Sequence, residues 1–167
     1  MDERLKLIFE RRSIRAYTEE PVADAELKAL LEAAMAAPSG NDRQPWRFVV
    51  VRERAALNRL AAAHPYGKML AEAALGIAVC GDPAISHWWV QDCSAAAENI
   101  LVAAGALGLG GVWIGCFGRP ELEKVVRECL SVPEHIGVLC LVSVGHPAEE
   151  KSPRTQFDGT KVHAERW

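Results

Sequence analysis

The feature that most constrains the fold is a long helix almost without charge. Residues 86–107 carry a helical pattern, and between Ser94 and Leu107 the only charged side chain is Glu98. Alanine and glycine fill much of the remainder. A helix this apolar must be covered on nearly all its faces. A chain of 167 residues buries about two-thirds of its unfolded surface and rarely wraps such a helix alone. A partner subunit covering one face is therefore expected.

Around this helix, short apolar runs alternate with amphipathic segments. Residues 48–51, 76–80, 112–115 and 138–144 read as buried strands, the last being the most hydrophobic. Residues 24–36 carry Leu27, Leu30, Leu31, Ala34 and Met35 at helical spacing, with Asp24 and Glu26 in the first turn and Pro38 as the stop. Residues 54–63 are a third helix, residues 68–71 a brief further one, and Pro120 opens a helix with Leu122, Val125, Val126, Cys129 and Leu130 on one stripe. Beyond Gly145 the chain is polar and loses periodicity. This order predicts an α+β or α/β sandwich, a central mixed sheet flanked by helices, as one domain over 1–167 with 146–167 as an extended C-terminal arm.

Near the start, Arg11, Arg12, Ser13 and Arg15 fall within five residues. Three guanidiniums and a hydroxyl form a dense donor set suited to an anion such as a phosphate. Leu5, Ile8 and Phe9 precede them at i, i+3, i+4, a spacing expected to anchor that first helix in a core. A solvated basic turn is the plainer alternative on composition alone. Net charge is −3 with a pI near 6.0, so there is no global basic field for nucleic acid, and a small anionic ligand suits the cluster better.

Other chemistries find little support. Five scattered cysteines without a Cys-x-x-Cys pair argue against a disulfide framework or a structural zinc, and imply reduced thiols in a cytoplasm. The charged start shows no secretory h-region, and no apolar run reaches the length of a membrane span. The glycines from 105 to 115 follow a helix and precede a strand, the reverse of a dinucleotide fingerprint. Capping explains Gly108 to Gly111, while Gly115-Cys116 would permit close backbone approach by a ligand. No G-x-S-x-G elbow and no i, i+4 histidine pair occurs. Trp88-Trp89 has no basic groove beside it and reads as core or interface packing, or as the lining of a flat aromatic cofactor. An anion site without a catalytic dyad points to chemistry carried by a cofactor.

Four segments then converge. F-E-R-R-S-I-R-A-Y, A-P-S-G-N-D-R-Q-P-W-R-F, Q-D-C-S-A-A-A-E-N-I-L-V-A-A-G-A-L-G-L-G-G-V-W-I-G and V-H-A-E-R-W resemble, in order and spacing, the compact FMN-dependent nitroreductases. The resemblance implies an intertwined α+β homodimer with FMN at the interface. It also implies an oxidoreductase that takes hydride from NADH or NADPH onto flavin N5 and passes electrons to a nitroaromatic, quinone or similar acceptor. Same-fold alternatives are dehalogenation, ene reduction or flavin fragmentation, and an FMN-binding module without catalysis is a further one.

Carried over by position, Arg11, Arg12 and Ser13 resemble the ligands of the FMN phosphate and ribityl chain, and Arg154 the late basic residue that clamps the phosphate. Lys151 is a looser match. Arg15 matches the cation beside the flavin N1–C2=O edge, with Lys68 as a second. Pro38, Ser39, Gly40 and Gln44 resemble the loop given by the partner subunit. Ile114, Gly115 and Cys116 fall where the backbone nears flavin N5 and O4. The family pattern has asparagine two residues before Gln44, where this chain has Asp42, so the contact falls to Asn41 or Asp42. The cysteine and histidine spacing, the mildly acidic charge and the lack of a spanning run lead us to expect no metal, no nucleic acid and no membrane partner.

Overall fold

The computed structural model describes residues 2–167. Five α-helices and four strands follow in the order α1 (Lys6–Glu10), α2 (Asp24–Met35), β1 (Trp46–Val51), α3 (Arg54–Ala63), β2 (Leu75–Gly81), α4 (Trp89–Ala106), β3 (Gly110–Gly115), α5 (Pro120–Leu130) and β4 (Gly137–Gly145). The strands form one sheet in the order β1-β2-β4-β3. The expected mixed sheet is antiparallel in all three ladders. Its parallel component is a single bridge between Ser13 and Gly111. The α3 and α5 connections each return the chain antiparallel to the strand before, whereas α4 crosses from β2 to β3, which run the same way with β4 between them.

Period-two alternation divides the core. Ile77, Val79, Cys140 and Val142 face α2 and α4, packing on Leu30, Ala34, Ala97 and Ile100. Ala78, Cys80, Val138 and Leu141 face α3 and α5, packing on Leu57, Leu60 and Val126. Both central strands are almost wholly buried, which is why they read as continuous apolar runs. Pro120 at the first turn and Ser131 in the left-handed conformation (φ 54°) bound α5.

Trp89, at the head of α4, locks that helix to the sheet. Gly81 and Gly137 are register partners on β2 and β4, and the indole lies across both. A methyl on Gly81 would meet Trp89 Cε3 at 2.7 Å, and one on Gly137 would collide with the far side of the ring. Along α4, Cys93, Ala96, Ala97, Ile100, Leu101 and Ala104 are buried. Val102 and Ala103 are half-buried and Leu107 is 40% exposed, so one chain covers only part of the helix.

A second set of glycines seats the arginine segment. Ile14 packs against Gly110, where a methyl would fall 2.7 Å away, and Tyr17 against Gly145, where it would fall 2.9 Å away. The Ile14 N–H donates to Gly111 O at 3.0 Å. The Tyr17 hydroxyl donates to Ile14 O at 2.7 Å and shares a 2.7 Å bond with Ser143 Oγ. Burial pushes this phenol up to about 12. Residues 146–154 run antiparallel beside this segment, through Thr18 N–H to His146 O (2.9 Å), Ala148 N–H to Ala16 O (2.9 Å) and Arg154 N–H to Phe9 O (3.1 Å).

The expected core anchor of α1 is corrected. The helix buries no residue, and Leu5, Leu7 and Ile8 are 49%, 47% and 57% exposed. Its spacing is amphipathic, but only Phe9 is half-buried, where α1 lies against α4, and the rest of its apolar side is left open among the described residues. Among the described residues, no helix is long and apolar enough to cross a membrane, and no group of side chains is arranged to hold a metal ion.

Gly137→Ala should lose about 1–3 kcal/mol by overpacking against Trp89, read from the urea midpoint. The buried thiols of Cys80 and Cys93 are pushed up to about 11 and about 12, and that of Cys140 also rises, chiefly by desolvation. They stay protonated at pH 8, as does buried Cys116. Iodoacetamide at pH 8 should therefore label Cys129 alone in the native protein and all five thiols after unfolding, as counted by mass spectrometry.

Candidate functional site

The arginine segment meets the C-terminal arm along a cavity of about 470 Å³, whose lining includes Arg11, Arg12, Lys151, Gly105 and Gly108. Arg12 Nη1 donates to Ser152 O, and Lys151 Nζ donates to Ser13 O at 2.6 Å. Glu98, the lone charge of the apolar stretch of α4, meets Arg11 Nε at 3.0 Å. That pairing uses one corner of the guanidinium and fixes its direction. Glu10, Glu149 and Glu150 form an acidic rim. Glu149 accepts from the Arg15 N–H at 2.6 Å and from Lys151 Nζ at 2.9 Å, which together hold its carboxyl below the usual carboxylate range. Arg154 reaches this region through its backbone only, and its side chain is exposed.

Arg15 and Lys68 share a second cavity of about 350 Å³ with Tyr66 and Trp113. Lys68 is placed by the 3-10 turn Lys68–Ala71. A third cavity, of about 420 Å³, shares Tyr66 and Trp113 and adds His64, Ile114, Gly115, Phe117 and Arg119. The open position here is Gly115, where a methyl would meet only Trp113 Nε1 at 3.7 Å. His64 is 4% exposed. Its Nδ1 accepts from the Tyr66 N–H at 3.1 Å, so Nε2 carries the proton and donates to Gly115 O at 3.0 Å. Cys116 differs from its neighbours. Its N–H donates to Leu139 O at 3.0 Å, and burial pushes its thiol up to about 12. It offers neither a free donor nor a nucleophile.

Residues 38–44 line none of these three cavities. They are held instead by Asp92, 5% exposed, whose Oδ1 accepts from the Gly40 N–H at 2.9 Å and Oδ2 from Ser86 Oγ at 2.7 Å. Ser39 Oγ accepts from the Gln44 N–H at 3.0 Å, and Gln44 Nε2 donates to Asp42 Oδ1 at 2.8 Å. Asn41, Asp42 and Gln44 all take left-handed conformations, with φ of 52°, 54° and 49°. Such backbone persists only where surrounding contacts enforce it and clusters at functional segments.

The structure thus gathers Arg11, Arg12, Ser13 and Lys151 at one place, and Arg15, Lys68, Ile114 and Gly115 at an adjoining one. It leaves Pro38, Ser39, Gly40, Asp42 and Gln44 apart within the chain. Sequence reasoning missed Asp92, His64, Glu149 and Arg119. Asp92 carried a signal as the acid beside Trp88-Trp89 at the head of an apolar helix. His64 carried none, because the bond that ties it to the site, to Gly115 O, spans 51 residues.

The model of the Nitroreductase family matches residues 8–74 and 61–146. A protein of Archaeoglobus fulgidus, provisionally named NADH dehydrogenase/NAD(P)H nitroreductase, is 45% identical over 174 positions spanning all of both chains. A Bacteroides thetaiotaomicron crystal structure under the same provisional name superposes with a TM-score of 0.96 at 44% identity, covering 100% of this chain and 99% of that one. A provisionally named nitroreductase of Desulfovibrio desulfuricans, solved in complex with FMN, gives a TM-score of 0.85 at 32% identity, covering 100% and 99%. The chain belongs to the nitroreductase family.

Proposed function

We propose that this protein is an FMN-dependent oxidoreductase, taking electrons from NADH or NADPH and passing them to a nitroaromatic, quinone or similar small acceptor. The observation that carries this reading is the placement of cations. Arg11, Arg12 and Lys151 line one cavity, and Arg15 and Lys68 line another beside the open backbone of Gly115.

The residues fit a flavin mononucleotide on their own chemistry. A phosphate needs several charge-assisted donors, and the guanidiniums of Arg11 and Arg12 with Lys151 supply them. Methyls added at Gly105 and Gly108 would meet nothing within 4 Å, so the backbone there leaves room for a ligand. Ser13 and Arg154 flank this end. When bound, FMN supplies the N5 centre through which two electrons pass from NAD(P)H to the acceptor. Arg15 and Lys68, which make no ion pair among the described residues, place positive charge at the redox end and stabilise negative charge accumulating there. Ile114 and Gly115 bring backbone to the same edge, and His64 engages the Gly115 carbonyl. No side chain acts as nucleophile.

A homodimer completes the site in this reading. Exposed Leu5, with Leu7 and Ile8 of α1, and the half-covered α4 leave apolar surface for a second copy. The preformed loop of Pro38, Ser39, Gly40, Asn41, Asp42 and Gln44 is then the partner's contribution. Five unpaired cysteines accord with a reducing, cytoplasmic setting.

The purified protein should be yellow, or take up added FMN, and bleach anaerobically with NADH or NADPH; a protein that stays colourless after FMN addition overturns the reading. Arg11→Ala should weaken FMN binding about ten- to hundred-fold, the worth of a charge-assisted bond, with an unchanged circular dichroism spectrum. Glu98→Gln, which frees that guanidinium, should bind FMN at least as tightly; both are read by flavin fluorescence titration. Ile8→Glu should convert a dimer to a monomer in sedimentation velocity and release FMN at the same time. A side chain free on a monomer's surface would instead tolerate this change within about 0.5 kcal/mol.

A further inference from the structure

The cavity beside Gly115 has a chemistry that the cofactor residues do not use. Its walls are the rings of Tyr66, Trp113 and Phe117, and Arg119 stands on one side. Tyr66 and Phe117 are 68% and 51% exposed, an unusual outlay of aromatic surface around one opening. The Arg119 guanidinium lies 5.8 Å from the centre of the Tyr66 ring, within cation–π range. Among the described residues it makes no ion pair and no side-chain hydrogen bond. Arg119 is the N-cap residue of α5 but does not cap it with its side chain. Glu121 and Glu123 occupy the first turn of that helix, and Glu123 Oε1 is engaged by the Gly118 N–H at 2.9 Å. The guanidinium therefore keeps its donors for a ligand, and the floor beneath them is the side-chain-free backbone of Gly115, held by His64.

We propose that this cavity is the acceptor site and that it selects planar aromatic acceptors bearing a carboxylate, with Arg119 as the specificity-determining residue. The rings of Tyr66, Trp113 and Phe117 bury the acceptor's faces, and Arg119 pairs its anionic group. The reducible substituent then points to Gly115, next to the cavity of Arg15 and Lys68. For a nitro acceptor the step is a two-electron reduction to the nitroso compound. NAD(P)H supplies the hydride equivalent, solvent supplies one proton, and one N–O bond is lost as water. The redox part rests on the oxidoreductase reading above; the binding part does not.

The test compares 4-nitrobenzoate with 4-nitrobenzamide, alike in shape but differing in charge. By calorimetry, run on the protein both as purified and after incubation with FMN, the benzoate should bind about ten-fold more tightly, the scale of one charge-assisted pair. The ratio of kcat/KM between the two acceptors should follow it. Arg119→Ala should bring both ratios close to one, and Arg119→Lys should keep part of the preference. Equal binding of the two by the native protein overturns the proposal, as does a ratio that Arg119→Ala leaves unchanged. A loss confined to NADPH, with NADH spared, also overturns it by assigning Arg119 to the donor's phosphate. If the protein takes up no flavin the oxidoreductase reading fails, while the calorimetric ratio still decides whether Arg119 binds the carboxylate.

Discussion

The site depends on the close approach of residues 13–17 to the sheet. Gly110 and Gly145 leave the space, Ile14 and Tyr17 fill it, and the Ile14 N–H reaches Gly111 O. Any side chain at those glycines would lift the segment off β3 and β4, and Arg11, Arg12 and Arg15 would lose their directions together. The hydrogen bonds of Tyr17 to Ile14 O and Ser143 Oγ add a buried polar clamp, which is costly to leave half-satisfied. Five consecutive residues therefore divide their work. Ile14 holds the backbone, while the arginines on either side of it line different cavities.

Trp89 plays the corresponding part for α4. By lying over Gly81 and Gly137 it fixes the start of the helix, from which Asp92 reaches the loop at Gly40 and Glu98 reaches Arg11. One apolar helix thus carries two acids, each tied to a different candidate ligand segment. Each is a charged partner to backbone or guanidinium at the edge of an otherwise alanine-rich surface, where a misplaced carboxylate would be costly.

Much of this was legible in sequence, for identifiable reasons. Buried strands betray themselves as apolar runs, and 138–144 falls within β4 as a result. The helix of residues 54–63 matches α3 at both ends, because its alanine-rich apolar stripe and the Pro65 that follows it are local signals. The strand starts at Trp46 and Gly110 were placed too late because Trp46-Arg47 and Gly110-Gly111 resemble loop and cap residues, whereas ladder hydrogen bonds to β2 and β4 decide them. The antiparallel sense of the sheet and the exposure of α1 depend on long-range packing that periodicity does not encode. In the site, local motifs carried Arg11 to Arg15 and Gly115. Asp92, Glu149 and His64 matter through partners far away in sequence, and no local pattern announces them.

The pairing of residues 9–18 with the arm has a consequence for the order of assembly. Its bonds join positions 128 to 145 apart in sequence, so closing this contact closes one of the largest loops in the molecule. Loop-closure entropy makes such contacts late events, formed after the sheet already exists to receive them. The phosphate-facing cations then come together only on a finished scaffold. A nascent chain carries its arginines early but presents them as a set last, so it does not offer a half-built anion trap while folding.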